Sequence, residues 1–264
     1  MRRYIPFLNR HPLVSVVRLS GLIASGGRGL SDAGTAAIIE RAFSRGRPRA
    51  VALVINSPGG SPEQSSLIAA RIERLAAEKD IPVTAFVEDL AASGGYWLAC
   101  AARDIIVDRN SIVGSIGVIS ASFGLQDFIA RHGVERRVHT AGRSKSFLDP
   151  FQPEKEEDVA RLATLQEQIH AGFIDQVKSR RGDRLAATGD LFTGDVWVGS
   201  SAVEVGLADA VGHLVPVMKE RYGDKVRFAV HGPRRSLLRR LGFSVVSEVT
   251  GAMEERALMA RYGL

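Results

Sequence analysis

Ala50–Ile55 reads AVALVI, a run with no polar side chain, and it stops at Asn56-Ser57-Pro58-Gly59-Gly60. A short, wholly apolar run suits a strand buried on both faces, as in a parallel sheet covered by helices. The dense turn signal that follows leads into a helix from about Pro62 to Glu78. The same grammar recurs. Leu13–Leu22 is strand-like, and Ser31 is placed to cap a helix that reaches Ser44 before Gly46 and Pro48. Pro82–Val87 reads as another buried strand, Glu88–Ala92 as a loop, and Ser93 opens a helical segment, GGYWLACAA. Asp104–Val107 and the glycine-interrupted Ile112–Ile119 are further strands. This alternation predicts an α/β fold.

Downstream, Phe123–Arg131 reads as a helix and Val134–His139 as a strand. A long amphipathic helix is expected from Pro153 to Arg181, with Val159, Leu162, Leu165, Ile169, Phe173, Ile174 and Val177 at three-to-four spacing. A shorter helix over Asp195–Val205 ends at Gly206, a fitting residue just past a helix end. Residues 1–230 read as one domain. Residues 231–264 form a basic, amphipathic helical extension in which Arg234, Arg235, Arg239 and Arg240 flank Leu237, Leu238 and Leu241. Such a segment can lie on a membrane surface, pack on a neighbouring subunit or dock on its own domain.

Composition narrows the functional classes. The 264 residues are 45% hydrophobic and 24% charged, ordinary for a globular chain and ample for a large core. A lone cysteine, Cys100, excludes internal disulfides and multi-thiolate metal sites. The longest uncharged windows, such as Asn110–Gln126, are rich in Gly and Ser and fall short of a membrane span. Arg10, His11 and Arg18 interrupt any signal-peptide core, so the expected location is cytoplasmic. The net charge of +6 is read as a solvated surface, because aromatics are only 6% and are not interleaved with the Arg clusters that nucleic-acid binding would need.

Three turn-like features carry chemistry. The glycines of Ser57-Pro58-Gly59-Gly60 let backbone N–H groups approach a bound oxygen, as half of an oxyanion hole; an ordinary strand-to-helix turn is the plain alternative. In Ala91-Ala92-Ser93-Gly94-Gly95-Tyr96, a serine at an electropositive helix start is placed as a nucleophile, with the Gly94 N–H as a second oxyanion donor; a capping serine is the alternative. A nucleophilic serine needs a base. No histidine lies between Ser93 and Arg131, and none of the six sits in a site-like motif. Arg143-Ser144-Lys145-Ser146-Phe147-Leu148-Asp149-Pro150-Phe151 offers a lysine instead. A lysine acting as base at pH 7 must have its ammonium disfavoured by about 4 kcal/mol, which burial can supply.

Taken in order, these motifs resemble peptidase family S49, the signal peptide peptidase A or protease IV family. The likeness runs through VVRLSG at 16–21, INSPGG at 55–60, AASGGY at 91–96, VGSIGV at 113–118, KSFLDPF at 145–151, TGDVWVG at 193–199 and GLADAVG at 206–212. The resemblance implies a ClpP/crotonase-like superhelix of β-β-α units and a serine endopeptidase with a Ser-Lys dyad. Ser93 matches the nucleophile, Lys145 the general base and Ser115 a lysine-orienting serine. Gly59 or Gly60 with Gly94 match the oxyanion donors. No cofactor or metal is implied. The expected substrates are signal-peptide remnants or other short or unfolded peptides, with small or hydrophobic residues near the scissile bond. The expected assembly is a homo-oligomeric ring with sites shared between subunits, and peripheral contact with the inner membrane is one expected role of the C-terminal helix.

Two other readings compete. A crotonase-like acyl-CoA enzyme would use carboxylates such as Glu63 and Asp89. A catalytically idle scaffold would only bind peptides.

Overall fold

In the computed structural model, which describes residues 11–26, 29–142, 145–187, 189–232 and 256–264, the apolar runs lie side by side in one sheet. Its strands are β1 (Leu13–Ser20), β2 (Ala50–Ser57), β3 (Val83–Ala92), β4 (Asp104–Val107), β5 (Ile112–Gly114), β6 (Val196–Val198), β7 (Ala210–Val211) and β8 (Arg227–His231). The path runs β6-β5-β3-β2-β1-β8, with β4 on β3 and β7 on β4. Every pairing is parallel except that of β5 with β6. The helices are α1 (Asp32–Ser44), α2 (Pro62–Lys79), α3 (Gly94–Cys100), α4 (Gln126–Arg131), α5 (Glu156–Arg181), α6 (Ser200–Glu204) and α7 (Leu214–Tyr222).

The chain divides into two compact units, residues 1–116 with 175–264 and residues 117–174. The first holds the whole sheet. Val14, Val16, Ala50, Ala52, Val54 and Phe86 point to one face, where Met218 of α7 and Val226 complete a buried cluster. Their alternating neighbours Val17, Leu19, Leu53 and Ile55 are equally buried, on the face packed by α1, α2 and α3. Helix starts follow the sequence. Ser31 and Ser61 cap α1 and α2 by accepting from the N–H groups of Gly34 and Gln64, and Pro62 occupies the first turn of α2. Arg71 of α2 then clamps Asp32 of α1 through two hydrogen bonds of 2.7 and 2.8 Å.

β3 is longer than the sequence indicates, because residues 88–92 are strand rather than loop. Its first half pairs with β4 and its last residues, Leu90–Ala92, with β5. The exposed acids that imitate a loop have partners along the strand: Glu88 meets Arg18, and Asp89 accepts from the Asn56 side-chain amide at 2.6 Å. The helix expected over Asp195–Val205 is instead β6 followed by α6. Trp197 pairs with Val113, and Gly199, at φ 49°, breaks the path between the two elements. The strand expected over Ile112–Ile119 stops at Gly114.

In the second unit, α4 begins at Gln126 rather than Phe123, and Val134–His139 forms no strand: it has no ladder partner among the described residues and is mostly exposed. The segment around Lys145 is tied down on both sides. The Leu125 N–H donates to the Pro150 carbonyl at 2.6 Å, Arg136 binds Asp149, and the Leu148 N–H reaches Asp158 at the start of α5. The α5 helix matches its expected course from Glu156. The expected C-terminal helix over 231–264 falls largely outside the described residues, of which 256–260 are helical.

Candidate active site

At the end of β3 the chain turns abruptly into α3, and Ser93 occupies the turn. Its backbone, φ 51° and ψ −121°, lies in a region that L-residues avoid. The same geometry before α6 is filled by Gly199, at φ 49° and ψ −114°. Two further observations set Ser93 apart from the serines that start α1 and α2. Its side chain makes no capping hydrogen bond, so the hydroxyl is not spent on the helix. Its N–H donates to the Gly114 carbonyl at 2.8 Å, which locks the turn to the end of β5. A serine held in a strained turn while leaving its hydroxyl uncommitted is poorly explained as a cap and well explained as a reactive group.

Replacing Ser93 with glycine therefore relieves strain. We expect Ser93→Gly to raise stability against urea by about 1 kcal/mol while removing the hydroxyl. A denaturation midpoint equal to or below that of the parent would contradict the strain.

The glycine turn after β2 is packed against this serine. A Cβ on Gly59 would lie 2.7 Å from the Gly94 nitrogen and 2.9 Å from the Ser93 Cβ, so only glycine permits the approach. Gly60, at φ 135°, bridges to Ile23, whose carbonyl would be 2.1 Å from an added Cβ. The two glycines differ in the donor that they leave open. The Gly59 N–H is engaged by the Ser57 hydroxyl at 3.2 Å, and that hydroxyl donates to the Gly21 carbonyl. The N–H groups of Gly60 and Gly94 carry no hydrogen bond to a described residue. Of the alternatives the sequence leaves, Gly60 rather than Gly59 is the available partner of Gly94.

Ser115 follows directly on the strand that holds Ser93. It too has a positive φ, 51°, and its N–H donates to the Asp195 carbonyl at 2.7 Å. Gly114 beside it is pinned by Trp197, whose ring would stand 2.8 Å from an added Cβ. The first unit thus brings Ser93, Gly59, Gly60, Gly94 and Ser115 to the ends of neighbouring strands. Lys145 belongs to the second unit. There it is exposed, with its N–H on the Gly142 carbonyl at 3.2 Å.

Several supports escape the sequence reading. Ser57 and Ser65 are fully buried small hydroxyls lining the glycine turn and α3. Only the tight spacing of small residues in these motifs hints at them. Behind α3, Tyr96 donates to the Leu207 carbonyl at 2.8 Å. Cys100 is wholly buried and its thiol is pushed up to about 12 by that burial, as befits a packing residue rather than a nucleophile. Of the carboxylates of the acyl-CoA reading, Glu63 is exposed on the first turn of α2 and Asp89 accepts a hydrogen bond from Asn56.

The model of peptidase family S49 matches residues 76–224, more than half of the chain. The chain belongs to peptidase family S49. Similar sequences extend the comparison. The chain is 32% identical over 212 residues to the chloroplastic serine protease SPPA of Arabidopsis thaliana, covering 76% of this chain and 31% of that protein. It is 34% identical over 172 residues to a putative protease of Methanocaldococcus jannaschii, covering 65% of this chain and 55% of that one. A protein of Brucella melitensis named as the Na(+)/H(+) antiporter NhaA is 47% identical along the whole chain, which accounts for 39% of its length. The chain therefore spans about a third to a half of these relatives. Among the described residues no helix is long and apolar enough to cross a membrane.

The fold agrees with the family. A mutant of the 1510-N membrane-bound stomatin-specific protease, solved with a substrate peptide, superimposes with a TM-score of 0.57 at 16% identity, covering 92% of this chain and 99% of that one. The fold is the ClpP/crotonase-like α/β architecture that the S49 resemblance implies.

Proposed function

We propose that this S49 chain is a serine endopeptidase in which Ser93 is the nucleophile and Lys145 the general base. The observation that carries the reading is the strained, uncapping Ser93 beside two open N–H donors. The neutral Lys145 amine takes the proton of the Ser93 hydroxyl as Oγ attacks a peptide carbonyl. The Gly60 and Gly94 N–H groups hold the oxyanion, helped by the positive end of α3. The lysine ammonium then protonates the departing amine, leaving an acyl-enzyme and a neutral lysine. Water attacks the acyl carbon while the same amine accepts its proton, and collapse returns Ser93 with a free carboxylic acid. Ser115 orients the amine. Substrates are short or unfolded peptides with small or hydrophobic residues near the scissile bond, signal-peptide remnants among them.

We propose further that the site is completed in a homo-oligomeric ring. Ile119, Phe123, Phe128, Val134, Val159, Leu165 and Ile169, all in the second unit, are exposed on the single chain. So much open apolar surface in one small unit marks an interaction face, and a second copy is the simplest partner to cover it. Lys145 is exposed in the same unit, so its desolvation falls to the neighbouring subunit. The test mixes two inactive chains, Ser93→Ala and Lys145→Ala, by co-expression. If neighbours share sites, about one site in four is intact and peptide hydrolysis returns to roughly a quarter of the parent value. If each chain builds its own site, the mixture stays inactive and the shared-site assembly is wrong.

A further inference from the structure

One face of the sheet in the first unit is incompletely covered. Beside the first turn of α7, a groove of about 680 Å³ opens over Val16, Val54, Phe86, Phe228 and Val230. Val230 is 65% exposed, unusual for an apolar residue in a sheet. Glu88, Asp89 and Asp108 stand on the rim of the groove, with Arg18 and His213. Leu264 also lines it.

The same short segment makes a second, independent contact. The Tyr262 hydroxyl donates to Ser115 Oγ at 3.2 Å. Residues 256–264, RALMARYGL, thus combine an apolar residue at the groove, a tyrosine on Ser115, and two cations, Arg256 and Arg261, suited to a rim richer in acids. A serine hydroxyl has one proton and two lone pairs. With Tyr262 donating to it, one lone pair is taken, and the phenol hydroxyl sits at the residue that follows β5.

We propose that residues 256–264 are an intrachain strap that docks in the sheet-face groove through Leu264 and restrains the site by engaging Ser115 through Tyr262. The restraint rests on the peptidase reading of Ser93 and Ser115; the docking does not. Freeing the strap exposes Ser115 and speeds reaction at Ser93.

The test uses full-length Tyr262→Phe and Leu264→Asp, a half-buried and a half-exposed position outside the buried core. Two measurements are made on each: hydrogen exchange of residues 256–264 and of residues 212–215 at the groove, and the rate of labelling by a fluorophosphonate. Leu264→Asp is expected to raise exchange in both segments. Both variants are expected to label about three- to tenfold faster than the parent, the change in open population that loss of one such contact produces. Unchanged exchange in Leu264→Asp overturns the docking. Raised exchange with an unchanged or slower labelling rate overturns the restraint. Exchange that rises in the parent on dilution shows a neighbour's segment in the groove and overturns the intrachain strap. If no variant or parent labels at all, it is the peptidase reading that fails, and exchange alone decides the docking.

Discussion

Ser93→Ala is expected to lower peptide hydrolysis by about 10⁴- to 10⁶-fold, the scale on which loss of a serine nucleophile acts in other enzymes. Lys145→Arg is expected to be nearly as damaging although it keeps the positive charge. A guanidinium does not give up its proton, so arginine cannot accept one from the Ser93 hydroxyl. The pair separates a base from a charged anchor: an anchor would tolerate arginine, and a base would not. Both variants should keep the parent's fold by circular dichroism, since Ser93 caps nothing and Lys145 is exposed. Turnover by Lys145→Arg within tenfold of the parent would remove the lysine from the chemistry.

The second large effect concerns stability. Arg181, at the end of α5, has a side chain only 1% exposed, and both its terminal nitrogens bind Asp209 at 2.8 and 3.0 Å. Its Nε donates to the Gly206 carbonyl, and Asp209 also accepts from the Ile105 N–H and from Arg184. One carboxylate thus ties the end of α5, the start of β4 and the turn before β7. Asp209→Ala leaves a buried guanidinium without a counter-charge, which costs about 3–5 kcal/mol. Urea denaturation should show that loss, and a change below 1 kcal/mol would contradict the arrangement.

The same pair sets the behaviour in acid. Burial works to raise the Asp209 carboxyl, but the hydrogen bonds from Arg181 and the Ile105 N–H, with the guanidinium charges of Arg181 and Arg184, outweigh it and hold the group below its ordinary range. Asp32 is lowered likewise by its hydrogen bonds from Arg71. A carboxyl lowered on folding contributes stability above its unfolded value, near pH 4, and loses it as the pH falls toward the folded value. Stability should therefore fall as the pH drops below about 4, and less so in Asp209→Asn.

The sequence made the scaffold legible where one physical signal dominated. AVALVI can hardly be anything but a doubly covered strand, and Ser31 caps the helix that follows it. It misled where two signals competed. Glu88 and Asp89 read as a loop because their charges hide the strand that pairing with β5 enforces. DVWVG reads as helix because its short strand is defined only by its pairing with Ile112–Gly114 on β5. The candidate nucleophile was legible from the motif, but its strained backbone was not, since that strain depends on a ladder bond to Gly114. Nor does sequence order tell which glycine keeps a free N–H; the Ser57 hydroxyl decides that. Asp209 sits in a motif read for its family likeness, and its partnership with Arg181 across a separate element has no local signature.

The most direct measurement is mass-spectrometric mapping of a fluorophosphonate adduct on the intact protein. The account predicts one adduct, on the Ser93 hydroxyl, formed by the parent and absent from Lys145→Met. An adduct on another serine, or on Ser93 at an equal rate when the lysine is gone, would contradict it.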